Sequence, residues 1–201
     1  MDLHYRLKAS NNSFLSDCIV TKRVFASDWC EDLIDYFENS LHYRTDDHRK
    51  QTDQLQLIGD SRPDAIDYKN YLFEKLYPLG VEYEEYLHSL CHNEYKPYDR
   101  PLTEIYKTGF RSLQIQKYSP DDKGYPAVHV ESGKEHHQKY LAVIVYLNDV
   151  EEGQTVFPMC GTAITPEVGL VAIWPSGLPF YHCGLPSKTT KYILTTWFEF
   201  F

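Results

Sequence analysis

Long apolar runs are missing from this chain. No stretch approaches the roughly 18 residues that a membrane-spanning helix requires. The opening residues, MDLHYRLKASNNSF, lack the apolar segment of a secretory signal. A cytoplasmic protein with no membrane partner is therefore expected. Positive charge is also scarce: 20 Lys and Arg stand against 29 Asp and Glu, for a formal net charge of -9. A broad nucleic-acid surface needs a basic face, so no nucleic-acid partner is expected. The five cysteines (Cys18, Cys30, Cys91, Cys160 and Cys183) contain no Cys-x-x-Cys pair and are odd in number. That pattern speaks against a disulfide framework and a cysteine-rich structural zinc site, and predicts reduced, mostly buried thiols. Internal repeats and low-complexity segments are absent too.

Aromatic residues are plentiful, with 17 tyrosines in 201 residues. Their abundance fits a strand-rich core with amphipathic side chains at its surface. The chain is long enough to bury roughly 70% of its unfolded surface. It reads as a single domain over residues 1–201, with a helical N-terminal part over 1–100 and a β core over 103–201.

In the first part, VTKRVF ending at Phe25 predicts a short strand. Ser27 is the expected N-cap of a helix whose apolar face is Trp29, Cys30, Leu33, Ile34 and Phe37. Residues 41–63 are polar and predict a loop, with a lid over the site as one role for it. Residues 64–77 and 80–92 predict two helical pieces broken at Pro78-Leu79-Gly80. Their aromatics Tyr71, Phe73, Tyr83 and Tyr86 are expected in core or helix–sheet contacts. From residue 103 onward the texture changes. RSLQIQKY, KYLAVIVYLND, QTVFP, GTAITP, GLVAIWP and KYILTTWFEF are short β-rich runs punctuated by Gly, Pro, Asp and Asn. Such runs without helical patterns between them predict an antiparallel sandwich or barrel.

The chemistry-bearing residues lie in this second part. His129 and Glu131 flank Val130, and strand alternation puts them on one face. His182 follows in a later strand. Two imidazoles and one carboxylate, leaving other coordination positions open, suit Fe(II). Cys183 is adjacent to His182 and is therefore expected to face the other way. Glu135, His136 and His137 sit in a charged run that reads as a solvated loop. Lys191, Thr195 and Trp197 share a strand parity. An ammonium and a hydroxyl on that face fit the distal carboxylate of a dicarboxylic keto acid, and Tyr118 adds a phenol upstream.

These residues resemble the 2-oxoglutarate-dependent Fe(II) oxygenases of the prolyl 4-hydroxylase-like branch. The similarity runs through LQIQKY (113–118), HVE (129–131), VIVYLNDVEEGQTVFP (143–158), GLVAIWPS (169–176) and HCGLPSKTTKYILTTWF (182–198). It implies an α+β, mainly β chain: a double-stranded β-helix (jelly roll) core buttressed by N-terminal helices. It implies His129, Glu131 and His182 as catalytic iron ligands. Lys191 would pair with 2-oxoglutarate, assisted by Thr195 and Tyr118, with Trp197 walling the pocket. Cofactor and co-substrates would be Fe(II), 2-oxoglutarate and O2, with ascorbate as an accessory reductant. The implied reaction couples decarboxylation of 2-oxoglutarate to hydroxylation of a prolyl or other amino-acid residue in a peptide or protein. Two alternatives stand beside it: a hydroxylase of a free amino acid or small metabolite, and a non-catalytic jelly-roll binding module with a degenerate metal site. Three positions depart from the family pattern. Glu131 replaces the usual Asp, Glu152 replaces a glycine in the Gly-Gly-x-Thr element, and Pro126 stands where an aromatic is common.

Overall fold

The computed structural model describes residues 13–90, 102, 106–133 and 135–201. Cys91 and most of the N-terminal stretch lie outside them. Among the described residues, the helices α1 (Ser13–Asp17), α2 (Ser27–Glu38) and α3 (Pro63–Leu90) accompany twelve strands. The strands are β1 (Val20–Arg23), β2 (Tyr43–Asp46), β3 (Gln51–Gln56), β4 (Thr108–Gly109), β5 (Leu113–Tyr118), β6 (Tyr125–His129), β7 (Lys139–Tyr146), β8 (Thr155–Phe157), β9 (Thr162–Ile164), β10 (Leu170–Pro175), β11 (His182–Gly184) and β12 (Lys191–Phe200). They form two antiparallel sheets rather than one closed barrel. The larger runs β1-β10-β7-β12-β5-β3-β2, with β4 on β12, and the smaller runs β6-β11-β8-β9. This is the jelly-roll arrangement expected of the β-rich half. No helix among the described residues is long and apolar enough to cross a membrane.

Strand alternation divides the core in two. Leu141, Val143 and Val145 of β7, Val171 and Ile173 of β10, and Leu194 and Phe198 of β12 point toward Cys30, Leu33 and Phe37 of α2 and Leu72, Leu76 and Tyr83 of α3. The intervening residues Ala142, Ile144, Tyr146, Ala172, Trp174 and Ile193 face the smaller sheet, where they meet Phe157 and Ile164. The helices thus cover one face of the larger sheet and leave the other for the site.

Four sequence-based expectations need correction. The α2 N-cap is Ala26, which makes no side-chain cap, and Ser27 is already helical. Helix α3 continues through Pro78 instead of breaking. Burial of Leu72, Leu76, Leu79 and Tyr83, at roughly 1.5–3 kcal/mol each, outweighs the cost of an internal proline, about 3 kcal/mol. Gly80 serves packing rather than breakage, because a Cβ there would lie 2.2 Å from Phe198 Cζ. Of the α3 aromatics, Tyr83 is buried, whereas Phe73 and Tyr86 are exposed. Finally, residues 41–63 are not a loop. They hold the β2–β3 hairpin, which pairs with β5 through Leu55 and Ile115. The N-terminal part therefore contributes strands to the sheet as well as helices. Asp47 closes the hairpin turn by accepting from the Arg49 and Lys50 amides at 2.7 and 2.9 Å.

Candidate metal centre

His129 closes β6 and His182 opens β11, and the two are cross-strand partners. Pairing brings their ring centroids to 4.4 Å. Strand β6 ends at His129, so Glu131 does not share it as the alternation argument supposed. Its amide instead donates to Ser176 O at 3.0 Å, and that turn directs the carboxylate back between the imidazoles.

Each ring is oriented from behind. His129 Nδ1 lies 2.8 Å from Ala127 O and His182 Nδ1 lies 3.1 Å from Phe180 O. A carbonyl oxygen only accepts, so both Nδ1 atoms carry the proton. In the neutral rings, Nε2 then presents a lone pair. Those two lone pairs point at Glu131 Oε1, at 3.5 and 3.3 Å. All three donor atoms lie within 4.8 Å of one another. As imidazoliums the two rings donate to that carboxylate; as neutral rings they leave all three donor atoms free to hold a cation. The carbonyl partners are the outer interactions that orient metal-bound histidines. Burial works to raise the Glu131 carboxyl. The hydrogen bonds and charges of His129 and His182 outweigh it and hold the group well below the usual carboxylate range. Tyr125 stacks on His129 at 4.0 Å, and Trp174 meets His182 edge-on at 5.0 Å. Cys183 is buried and outside the cluster. Glu135, His136 and His137 are exposed, as expected of a solvated run.

The ligands open onto a cavity of about 400 Å³ whose lining includes Tyr118, Lys191, Thr195 and Trp197. All four sequence-predicted co-substrate residues therefore share one space with the three ligands. Lys191 is 3% exposed. Its ammonium donates to Gly153 O at 2.7 Å and lies 5.0 Å from the Tyr118 ring centroid. Burial pushes its pKa down from 10.5 to about 8. Gly153 is required here: its φ is +85°, and a Cβ would meet Ser187 Cβ at 2.9 Å and Lys191 Nζ at 3.3 Å.

Thr195 and Tyr118 are linked by a residue the sequence reading passed over. Gln116 Nε2 donates to Thr195 Oγ1 at 3.0 Å, and the Tyr118 hydroxyl donates to Gln116 Oε1 at 2.7 Å. Tyr118 thus reaches the cavity with its ring, its proton committed to Gln116. The signal was present, since Gln116 shares its strand parity with Tyr118.

The mouth carries further cations. Lys50, Arg49 and Lys139 line the same cavity. Lys139 Nζ sits 3.3 Å from the Trp197 ring centroid, and Lys50 Nζ sits 5.4 Å from that of Tyr125. Burial lowers the pKa of both lysines, to about 8 for Lys50. Lys139 has the parity of Leu141 and Val143, which face the helices. A bulge between Phe198 and Glu199, opposite Tyr140, reverses it.

Residues 113–199 match the family model of the 2OG-Fe(II) oxygenase superfamily. That stretch carries every candidate ligand and every candidate co-substrate residue named above. It belongs to the 2OG-Fe(II) oxygenase superfamily. Over these residues the chain is similar to the 2-oxoglutarate-dependent Fe(II) dioxygenases, and its fold is shared with solved prolyl 4-hydroxylases. Solved oxygenases share its fold at low sequence identity. A Pseudomonas putida prolyl-4-hydroxylase is 15% identical with a TM-score of 0.66, covering 94% of this chain and 98% of its own. The viral collagen prolyl hydroxylase of Paramecium Bursaria Chlorella virus-1, in complex with 2OG, is 18% identical with a TM-score of 0.58, covering 92% and 97%. A Trichoplax adhaerens prolyl hydroxylase, in complex with a hypoxia inducible factor peptide fragment, is 15% identical with a TM-score of 0.64, covering 94% and 86%. No curated protein matches this chain by sequence.

Proposed function

We propose that this dioxygenase hydroxylates a prolyl or other amino-acid residue in a peptide or protein. The observation that carries the reading is the convergence of three possible metal-ligand atoms on the wall of a cavity that also holds a buried ammonium. His129 Nε2, His182 Nε2 and the Glu131 carboxylate would hold Fe(II), a donor set that suits it. Bound together with 2-oxoglutarate and dioxygen, the iron supplies the oxidising power that places an oxygen atom on a C–H bond.

The chain's own residues bind, orient and shield. Lys191 and Thr195 would hold the distal carboxylate of 2-oxoglutarate, and Gln116, fixed by Tyr118, would position the Thr195 hydroxyl. Tyr146, whose hydroxyl donates to Thr155 at 2.7 Å, and Ile193 wall this end of the cavity against water. Trp197 and Tyr125 line the side where a substrate would enter. The prolyl assignment draws support from the three solved relatives, all named as prolyl hydroxylases, one of them captured with a peptide.

The test supplies the protein with Fe(II), 2-oxoglutarate and short proline-containing peptides. Succinate release and added oxygen on the peptide are then followed by mass spectrometry. Oxygen on proline supports the reading. Oxygen on another residue replaces the prolyl assignment, and oxygen on free amino acids but never on peptides overturns the peptide reading.

A further inference from the structure

The cavity holds more positive charge than its co-substrate needs. A ferrous ion and Lys191 together balance Glu131 and a dianionic keto acid. Lys50 and Lys139 remain over. Among the described residues neither has a carboxylate at ion-pair distance, whereas Arg49 is paired with Asp47 at 3.6 Å. Lys50 finds Gln54 Oε1 at 3.2 Å and the Tyr125 face; Lys139 finds the Trp197 face. These contacts fix the two ammoniums without neutralising them. They come from different parts of the chain, the β2–β3 turn and the start of β7, and both line the one mouth.

We propose that this mouth reads a carboxylate on the substrate, held between Lys50 and Lys139 beside the carbon to be oxidised. A neutral or basic group there would leave both half-buried ammoniums uncompensated, which is costly. A carboxylate accepts from both and gains the strength of charge-assisted hydrogen bonds. The protein's net charge of -9 does not oppose this. Screening over roughly 8 Å at physiological salt makes the local lysines decide. The same screening selects a carboxylate close to the reacting residue rather than an acidic tract. An Asp or Glu side chain next to the target residue supplies such a group, and so does the α-carboxylate of a free amino acid.

The proposal rests on the oxygenase reading above and is tested so that the two can fail separately. Fe(II) and 2-oxoglutarate are first added anaerobically and their chelate absorbance recorded. Fluorescent proline-centred peptides that differ at one neighbouring position (Asp, Asn or Lys) are then titrated by anisotropy. Free proline and prolinamide are compared by the succinate release they stimulate. The Asp peptide is expected to bind roughly tenfold or more tighter than the Asn peptide. That margin should collapse in Lys50→Gln and Lys139→Gln and return in Lys50→Arg and Lys139→Arg. Proline outperforming prolinamide, with the same dependence on both lysines and no peptide discrimination, assigns the carboxylate to a free amino acid and still supports the proposal. A normal chelate with charge-blind binding of every probe overturns this proposal alone. A missing chelate overturns the oxygenase reading and the proposal with it.

Discussion

At the scale of single residues, the account depends on a charge held where water is nearly absent. Lys191 is buried, and its pKa falls from 10.5 to about 8 as a result. An unfolded lysine keeps its proton up to about pH 10.5, so the unfolded chain binds more protons than the folded one between about pH 8 and 10.5. Stability should therefore rise with pH across that window, the penalty for burying the ammonium being complete below it. Function should run the other way. Affinity for 2-oxoglutarate is expected to fall as pH climbs above about 8, and Lys191→Arg should flatten that decline. Parallel pH profiles for the two proteins would contradict the role given to the ammonium. Replacing Lys191 by Ala should weaken 2-oxoglutarate roughly 10- to 100-fold, the worth of one charge-assisted hydrogen bond, while iron affinity measured alone changes little. That His129, Glu131, His182 and Lys191 share one cavity was legible in the sequence through residue type and order, although the strand-parity argument did not hold for Glu131, which lies past the end of β6. Gln116 was equally accessible, but a lone glutamine carries no chemistry of its own to draw attention.

At the scale of elements, what hid from the sequence was polar or irregular. The β3 strand reads QTDQLQ. Its Thr52 and Gln54 are buried polar residues satisfied by Lys117 O and the Thr45 hydroxyl, so it lacks the apolar alternation by which strands are recognised. Its hairpin consequently reads as a loop in the sequence. The bulge opposite Tyr140 was equally invisible, yet it decides that Lys139 faces the mouth. In α3, Pro78 and Gly80 carried a strong local breaking signal that tertiary packing overrode. That override has a measurable consequence. Gly80→Ala should destabilise the protein by roughly 1–3 kcal/mol, because its Cβ would fall inside the Phe198 ring, although alanine is the better helix former. Urea denaturation compares the two; an alanine variant as stable as the parent would show that α3 does not press on β12. Conversely, the Asp47 cap holds the Lys50 end of the hairpin. Asp47→Ala should raise KM for the oxidised substrate while leaving the 2-oxoglutarate requirement nearly unchanged, a split that steady-state kinetics reads directly.

At the scale of the whole molecule, the fold is a division of labour between the two faces of one sheet. Helices α2 and α3 cover one face with a continuous apolar core, and this rigidity lets the other face carry buried polar groups. The desolvated Glu131 carboxyl and lysines are local costs. Binding of the metal and keto acid to the folded state alone should offset them, by roughly 2.7 kcal/mol at a hundredfold excess over Kd. Thermal unfolding should therefore shift upward with Fe(II) and 2-oxoglutarate together under anaerobic conditions, and the shift should vanish in His129→Ala. The broad class, a β-rich core behind N-terminal helices, was readable because six runs of strand-forming residues repeat without helical patterns between them. The exact partition of strands between sheets was not, since it depends on pairings far apart in sequence.

The most direct test of the central claim is an anaerobic titration of the Fe(II)-loaded protein with 2-oxoglutarate, followed by absorbance. The account predicts a chelate band that saturates in the parent protein, disappears in His182→Ala and shifts to higher 2-oxoglutarate concentration in Lys191→Ala. No band at saturating iron and keto acid, or an undiminished band in His182→Ala, would contradict it.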